Sequence, residues 1–462
     1  MSEVQKLWNS PGKNYINIFF FLISIVIVTV IWPHGKEDNL LNYLGSFIIV
    51  TSSYLVLYLF IAHFRSEVLM VIRKTLFIII TILSFIILTR IAVRYSDSSL
   101  LLLIPFAIIP VIIRTFYDSR LALFILLITL VQAGFMVHDP FNFVVMNFIS
   151  GMAAIFTLTN IYRRGKLFYT SFFVILSYSL LYTAITLLRE GTMAALVPSD
   201  YLLFVGNGLL VLMSYPFIFM FEQEFLFLSD TTLLELADTN QPLLRKLAEE
   251  APGSFQHSLQ VVNLAEEAAR KIGANPLLVR TGALYHDIGK ISNSGYFTEN
   301  QEKGVNPHDN LNPRESAKLI INHVKNGVIL AKNFKLPVQI IDFIRTHHGT
   351  TVAYYFYKKY NDQQPWDTSM EREFTYTGPK PFSKETAVVM MADAVEASSR
   401  SLANYTEDNV SELVERIIML QEQDGQFSDA PLTFKDITDI KDVFKKRLLN
   451  IYHVRVAYPD RD

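Results

Sequence analysis

Leu284-Tyr285-His286-Asp287-Ile288-Gly289-Lys290 runs to the end of a predicted helix over 276–289 and one residue beyond, and its adjacent imidazole and carboxylate decide how the second half of the chain is read. Neighbours on a helix stand about 100° apart around its axis, so one stretch of backbone can aim them at two adjoining positions. Outward from this pair, His257, His323, the second adjacent pair His347-His348, and Asp393 follow on other predicted helices. Five imidazoles and two carboxylates exceed what a single metal ion needs. They suit two ions sharing one carboxylate, and paired ions about 3.5–4 Å apart are a recurrent device for cleaving phosphate esters. Sites of this kind are readily built between facing helices. His308 and His453 stand alone and fit ordinary surface or core positions.

Composition limits the alternatives. The 462 residues are 51% hydrophobic, but the halves differ sharply. Residues 1–222 hold 14 Lys/Arg and 10 Asp/Glu, a net +4, whereas the remainder hold 27 and 33, a net −6. The overall charge of −2 lacks the basic footprint of a nucleic-acid-binding domain, so no nucleic acid polymer is expected as a partner. There are no cysteines, which removes disulfides, thiolate metal sites and cysteine nucleophiles. A metal must then be held by nitrogen and oxygen, a donor set suited to Mn, Fe, Zn or Ni.

The first half reads as membrane. Apolar stretches occupy 16–32, 41–62, 75–93, 99–113, 121–137, 142–161, 167–188 and 201–221. A spanning helix needs about 20 apolar residues. Eight helices are predicted, with 99–113 marginal and either kinked by Pro105 and Pro110 or displaced at its ends, and with Pro216 in the eighth. The first ends in Val30-Ile31-Trp32-Pro33-His34 rather than in small residues, so it reads as an anchor, not a cleaved signal. With the N-terminus inside, the inner segments carry Lys6, Lys13, Arg65, Arg73, Lys74, Arg114, Arg120, Arg163, Arg164 and Lys166. The outer side carries only Lys36, Arg90, Arg94 and Arg189. This bias predicts an N-in topology that returns the C-terminal half to the cytoplasm. No span carries a central charged pair of the kind that marks a transport path.

The second half is helical almost throughout. After His257, Leu259, Val262, Leu264 and Ala268 approximate helical spacing, and 313–334, 337–347, 384–402, 409–421 and 435–449 are similar. Turn-rich stretches at 292–312 and 361–382 read as loops. Residues 222–250 read as a helix leaving the membrane, a break at Pro242 and a second helix. The expected fold class is all-α: a polytopic membrane domain (1–221), a helical connector (222–250) and an all-helical domain (251–462).

The ordered set His257, His286-Asp287, His323, His347-His348 and Asp393 resembles the HD-domain phosphohydrolases in their two-metal form. Flanking segments narrow the likeness: Leu234-Glu235-Leu236-Ala237-Asp238-Thr239-Asn240-Gln241-Pro242 in the connector, Ala251-Pro252-Gly253-Ser254-Phe255-Gln256 before the first ligand, Tyr296-Phe297-Thr298-Glu299-Asn300-Gln301, Asn306-Pro307-His308-Asp309, and Gly349-Thr350-Thr351. These are similar to the seven-transmembrane receptors with an intracellular HD hydrolase, of the cyclic-di-AMP phosphodiesterase type. The resemblance implies a membrane-tethered enzyme in a bacterial cell membrane, hydrolysing cyclic-di-AMP to linear pApA with two divalent ions, Mn or Fe. One ion is implied at His257, His286, Asp287 and Asp393, the other at Asp287, His323, His347 and His348, with Asp287 bridging. Lys290 is implied as a catalytic and phosphate-binding residue, and Arg400 as a second phosphate contact, because a planar guanidinium suits phosphate oxygens. The lipid bilayer and a cyclic dinucleotide are the implied partners, with a second copy of the chain as a further candidate.

Two departures stand out. Full-length members carry a large extracytoplasmic domain after the first span, where this sequence has only the short turn Pro33 to Leu40, so it reads as a short natural form or as a chain from which the sensor was removed. The Gly-Tyr-Pro element of related cyclic-di-GMP hydrolases is replaced by Gly349-Thr350-Thr351-Val352 after His348. Two alternatives remain open on the residues: an HD hydrolase of cyclic-di-GMP, a nucleoside triphosphate or an alarmone, and a receptor that binds nucleotide without cleaving it.

Overall fold

A computed structural model describes residues 13–32, 40–95, 99–158, 165–301, 306–363 and 368–452. Lys6, Lys36, Arg163, Arg164, His453 and the turn from Pro33 to Asn39 lie outside them. The chain divides into two compact units, Met1–Ser229 and Asp230–Asp462. The described residues form helices and turns, with one isolated β-bridge between Val352 and Thr375.

The first unit contains α1 (Lys13–Ile31), α2 (Leu40–Phe64), α3 (Ile72–Tyr95), α4 (Ser99–Leu103), α5 (Ile108–Phe116), α6 (Ser119–Gly134), α7 (Pro140–Thr157), α8 (Gly165–Glu190), α9 (Pro198–Leu212) and α10 (Ser214–Phe225). Among the described residues, five helices are long and apolar enough to cross a membrane: α2, α3, α7, α8 and the combined α9–α10. Tyr15–Ile31, Leu100–Phe116 and Ser119–Gly134 are shorter apolar helices. The marginal fourth segment is broken into α4 and α5 around Pro105. The break strands carbonyls in an apolar interior, where each costs free energy unless paired. Asn207, buried on α9, donates to both Leu102 O (2.9 Å) and Ile104 O (3.0 Å). The interruption between α9 and α10 at Met213 has a similar cause, since the ring of Pro216 clashes with the carbonyl four residues earlier. Large apolar side chains such as Leu40, Leu188 and Leu202 remain exposed on this unit, as a lipid-facing surface requires.

The second unit contains α11 (Asp230–Leu236), α12 (Pro242–Glu250), α13 (Pro252–Lys271), α14 (Pro276–Tyr285), α15 (Pro313–Asn333), α16 (Val338–Thr346), α17 (Tyr354–Asn361), α18 (Lys384–Ser399), α19 (Glu407–Gln423) and α20 (Phe434–Tyr452). Helix α13 packs against α14, α18 and α20, and α15 packs against α16 and α17. Local chemistry sets the helix starts. Pro252, Pro276 and Pro313 occupy first-turn positions, where a missing N–H costs nothing. Asn312 and Glu315 form a capping box on α15, and Asn275 caps α14. The predicted connector of two helices is instead three pieces. α10 ends at Phe225, where Leu226 turns left-handed (φ 54°), and α11 and α12 follow separately. The aromatic run at 354–361 forms α17, which periodicity did not single out because Tyr and Phe also suit strands.

Candidate metal centre

The helix predicted through Gly289 stops at Tyr285. His286 caps it in right-handed helical geometry, and from Ile288 the backbone tightens to 3-10 geometry, broken by a kink at Asn293 (φ −148°, ψ 47°) before a second short turn that ends at Tyr296. With three residues per turn, residues i and i+3 eclipse. Lys290 therefore stands directly over Asp287, its N–H bonded to Asp287 O at 3.0 Å and its Nζ 2.7 Å from Asp287 Oδ2. This tight segment lies flush on α15 because Gly289 has no side chain. A Cβ there would fall 1.8 Å from His323 O and 2.5 Å from Gly327 N. Backbone cannot yield as a flexible side chain can, so Gly289→Ala should destabilise the second unit by about 2 kcal/mol. It should also shift His323 away from Asp287. Denaturant unfolding of this variant checks it, and wild-type stability would refute the close-packing argument.

All seven metal-type side chains are brought into one buried centre in two groups. His257, His286 and Asp393 form one, and His323, His347 and His348 the other, each with ligand atoms within 4.8 Å of one another. Asp287 lies between them. Its Oδ2 is 3.3 Å from His286 Nε2 and 3.7 Å from His257 Nε2, while its Oδ1 is 3.4 Å from His323 Nε2 and 3.6 Å from His347 Nε2. Asp393 Oδ1 meets His257 Nε2 at 2.8 Å, and its Oδ2 faces His348 Nδ1 at 3.8 Å. The chain turns sharply after the paired histidines because Gly349 takes a left-handed conformation (φ 51°).

Three of the imidazoles are oriented identically by their own helices. Nδ1 of His286, His323 and His347 bonds to the carbonyl three residues earlier, at 2.7, 2.6 and 2.8 Å. With Nδ1 donating, each Nε2 presents a lone pair to the centre, the tautomer metal ligation requires. His323 Nε2 and His347 Nε2 then face each other as two acceptors 3.0 Å apart, with no proton to share. Asp287 Oδ1 and His286 Nε2 are buried without a hydrogen-bond partner among the described residues, and Asp287 Oδ2 has only the Lys290 ammonium beside it. Converging lone pairs and a buried carboxylate fit divalent metal ions, and these residues could hold them.

The electrostatics agree with that demand for positive charge. Burial alone would raise Asp287 and Asp393, but Lys290 and His286 hold the first well below the usual carboxylate range, and His257 and His286 hold the second there. Burial would lower His286, yet Asp287 and Asp393 outweigh it and push it up to about 10, so at neutral pH its Nε2 carries a proton that a bound metal ion would displace. His347 and His348 are driven down, the latter to about 3, chiefly by burial, and so are neutral at pH 7. Neutral imidazoles are what a metal takes.

Three residues in the centre had no role assigned from the sequence, Glu299 having counted only within a flanking segment. Glu396 binds His257 Nδ1 and is itself gripped by Arg400, whose Nε and second guanidinium nitrogen lie 3.0 and 2.8 Å from Glu396 Oε1. The signal was present, since Glu396 follows Asp393 by one helical turn. Glu299 accepts from Lys290 Nζ (2.8 Å) and from Ser254 Oγ (2.8 Å), and Asn300 beside it accepts from the first N–H groups of α13. Tyr376 lies with its ring centre 4.3 Å from that of His348. A cavity of about 750 Å³ opens over the centre, lined in part by Lys290, His348, Asp393, Ser398 and Arg400. Arg400 thus faces this cavity while paired with Glu396. His308 lies buried outside the centre, its Nε2 donating to Tyr296 O at 2.9 Å.

Residues 40–229 match the family model of the 7TM receptor with intracellular HD hydrolase, and residues 254–398 match the HD domain. The cyclic-di-AMP phosphodiesterase PgpH of Bacillus subtilis is 35% identical over 83% of this chain and 55% of its own length. The protein of that name from Listeria monocytogenes is 34% identical over 97% of this chain and 60% of its own. The chain therefore spans a little over half the length of these curated relatives. A crystal structure of the L. monocytogenes PgpH HD domain in complex with cyclic-di-AMP is 44% identical, covering 47% of this chain and all of that one, with a TM-score of 0.45. The protein is a multi-pass membrane protein, and its chain belongs to the family of seven-transmembrane receptors with an intracellular HD hydrolase.

Proposed function

We propose that this protein is a membrane-tethered phosphodiesterase that hydrolyses cyclic-di-AMP to linear pApA. The observation that carries the reading is Asp287, whose two oxygens each face a separate group of metal-type ligands. In this reading, one divalent ion is held by His257, His286, Asp287 and Asp393, and a second by Asp287, His323, His347 and His348. When bound, such a pair polarises phosphoryl oxygen and acidifies water. Mn and Fe suit a donor set of imidazole and carboxylate.

The chain's own side chains supply the rest. Lys290 is held over Asp287 by Glu299, and its ammonium offers charge to a phosphoryl oxygen in the cavity. Arg400 offers a planar fork to the second phosphate. Attack by water on one phosphorus forms one P–O bond and breaks the bond to a ribose 3′ oxygen, which departs as a hydroxyl. The phosphate stays on the 5′ end, which gives pApA. The activity of the PgpH relatives and the replacement of Gly-Tyr-Pro by Gly349-Thr350-Thr351 support cyclic-di-AMP over cyclic-di-GMP. Eight apolar segments and the inner Lys/Arg bias support an N-in arrangement, with the membrane domain at 1–221, the connector at 222–250 and a cytoplasmic hydrolase domain at 251–462.

The test is a product time course with purified full chain and Mn on both cyclic dinucleotides. pApA should appear first. AMP as the earliest product, or faster cleavage of cyclic-di-GMP, would overturn the reading. Lys290→Ala should slow turnover about tenfold, the loss of one charge-assisted contact, while leaving metal content intact. A variant that lost its metal instead would assign Lys290 to holding Asp287.

A further inference from the structure

The membrane unit contains a cavity of about 680 Å³ that plays no part in the chemistry above. Its size falls within the range of small-molecule sites, about 300–1,000 Å³. Its wall is built from the ends of α3, α4, α7 and α8 and the turn at 137–139. Polar groups converge on it from both ends. At the floor, Tyr178 OH donates to Asn147 Oδ1 (2.6 Å), Asn147 Nδ2 donates to Phe143 O (2.8 Å), and the ring of Tyr178 stacks on Phe204. Burying such groups in a bilayer is costly, so a fully engaged cluster there is a built floor, not a packing accident. At the rim, Arg189 on α8 reaches Asp139 at the start of α7 with two nitrogens, at 2.6 and 3.4 Å. Asn142 Nδ2 steadies the same carboxylate at 2.6 Å. Glu190 and His138 also line the rim.

We infer that this cavity binds a small zwitterion, a free amino acid or short peptide with an apolar body, its carboxylate taken by Arg189 and its ammonium by Asp139. Both signs of charge meet at the rim, so a ligand of one sign would face a like charge. A ligand carrying both replaces each half of the ion pair in kind. The exchange costs little, because Arg189 and Asp139 are about half exposed and each keeps a partner of opposite charge when the ligand takes its place. Phe143, Met146 and Leu102 line the space between rim and floor and suit an apolar side chain.

The test follows the melting temperature of the full chain in lipid nanodiscs with leucine, the dipeptide Leu-Phe, leucinamide and N-acetylleucine. A saturable rise with leucine or Leu-Phe is expected, each at least about tenfold tighter than the two probes lacking one charge, or about 1.4 kcal/mol. Saturation by leucine alone identifies a free amino acid, and by Leu-Phe alone a peptide. Arg189→Gln should weaken binding about tenfold or more. Ile185→Trp, which fills the cavity and leaves the ion pair in place, should abolish the shift, and it decides the matter if Arg189→Gln does not fold. The inference fails if neither zwitterion gives a saturable shift up to about 10 mM. It also fails if the singly charged probes bind equally, or if Ile185→Trp binds as wild type.

Discussion

Asp287→Asn should lower turnover of cyclic-di-AMP about a thousandfold and cut the metal content from two ions per chain to one or fewer. The amide keeps the shape of the carboxylate but removes the charge, and it presents an N–H₂ where one oxygen was. One of the two ligand groups then faces a donor in place of an acceptor. Metal assistance is worth several kcal/mol in a transition state, and each 1.36 kcal/mol is a factor of ten. Elemental analysis after loading with Mn or Fe, run beside the activity assay, separates the causes. Two retained ions with lost activity would leave Asp287 a purely chemical role. Near wild-type activity would sink the two-metal reading altogether.

Glu396→Gln should weaken one metal position by about 10- to 100-fold, the usual cost of losing the group that orients a ligating imidazole. Glu396 holds His257 Nδ1, which aims Nε2 at Asp393 and Asp287. An amide can still accept, but without the charge it no longer raises the basicity of the ring. Competition with a chelator measures the loss, and the ion at the His257, His286 and Asp393 group should leave first. Unchanged affinity would refute the positioning role. Arg400→Ala divides the two functions open to that residue. A rise in KM at constant metal affinity marks a phosphate contact. A parallel fall in metal affinity marks a residue that acts through Glu396.

Much of this was legible in the chain itself. The apolar first half, the break near Pro105, the helical second half and the order of histidines and carboxylates are local properties. They depend on residue chemistry and on spacing along one backbone. The proline and asparagine signals at Pro252, Pro276, Pro313 and Asn312 likewise act within a single turn. The 3-10 segment after Asp287 was not legible, because its cause is the close approach of α15 to Gly289, a contact between residues 34 and more apart in sequence. The same holds for Glu396, whose role exists only because His257, from a helix more than a hundred residues earlier, packs against α18. Nor could sequence reveal the rim pair Asp139–Arg189, whose members lie 50 residues apart along the chain. Sequence by itself determined which side chains were available and the elements that carry them. Tertiary structure alone decided which oxygen of Asp287 faces which histidines, because that depends on how separate helices pack, and packing is not periodic along the chain.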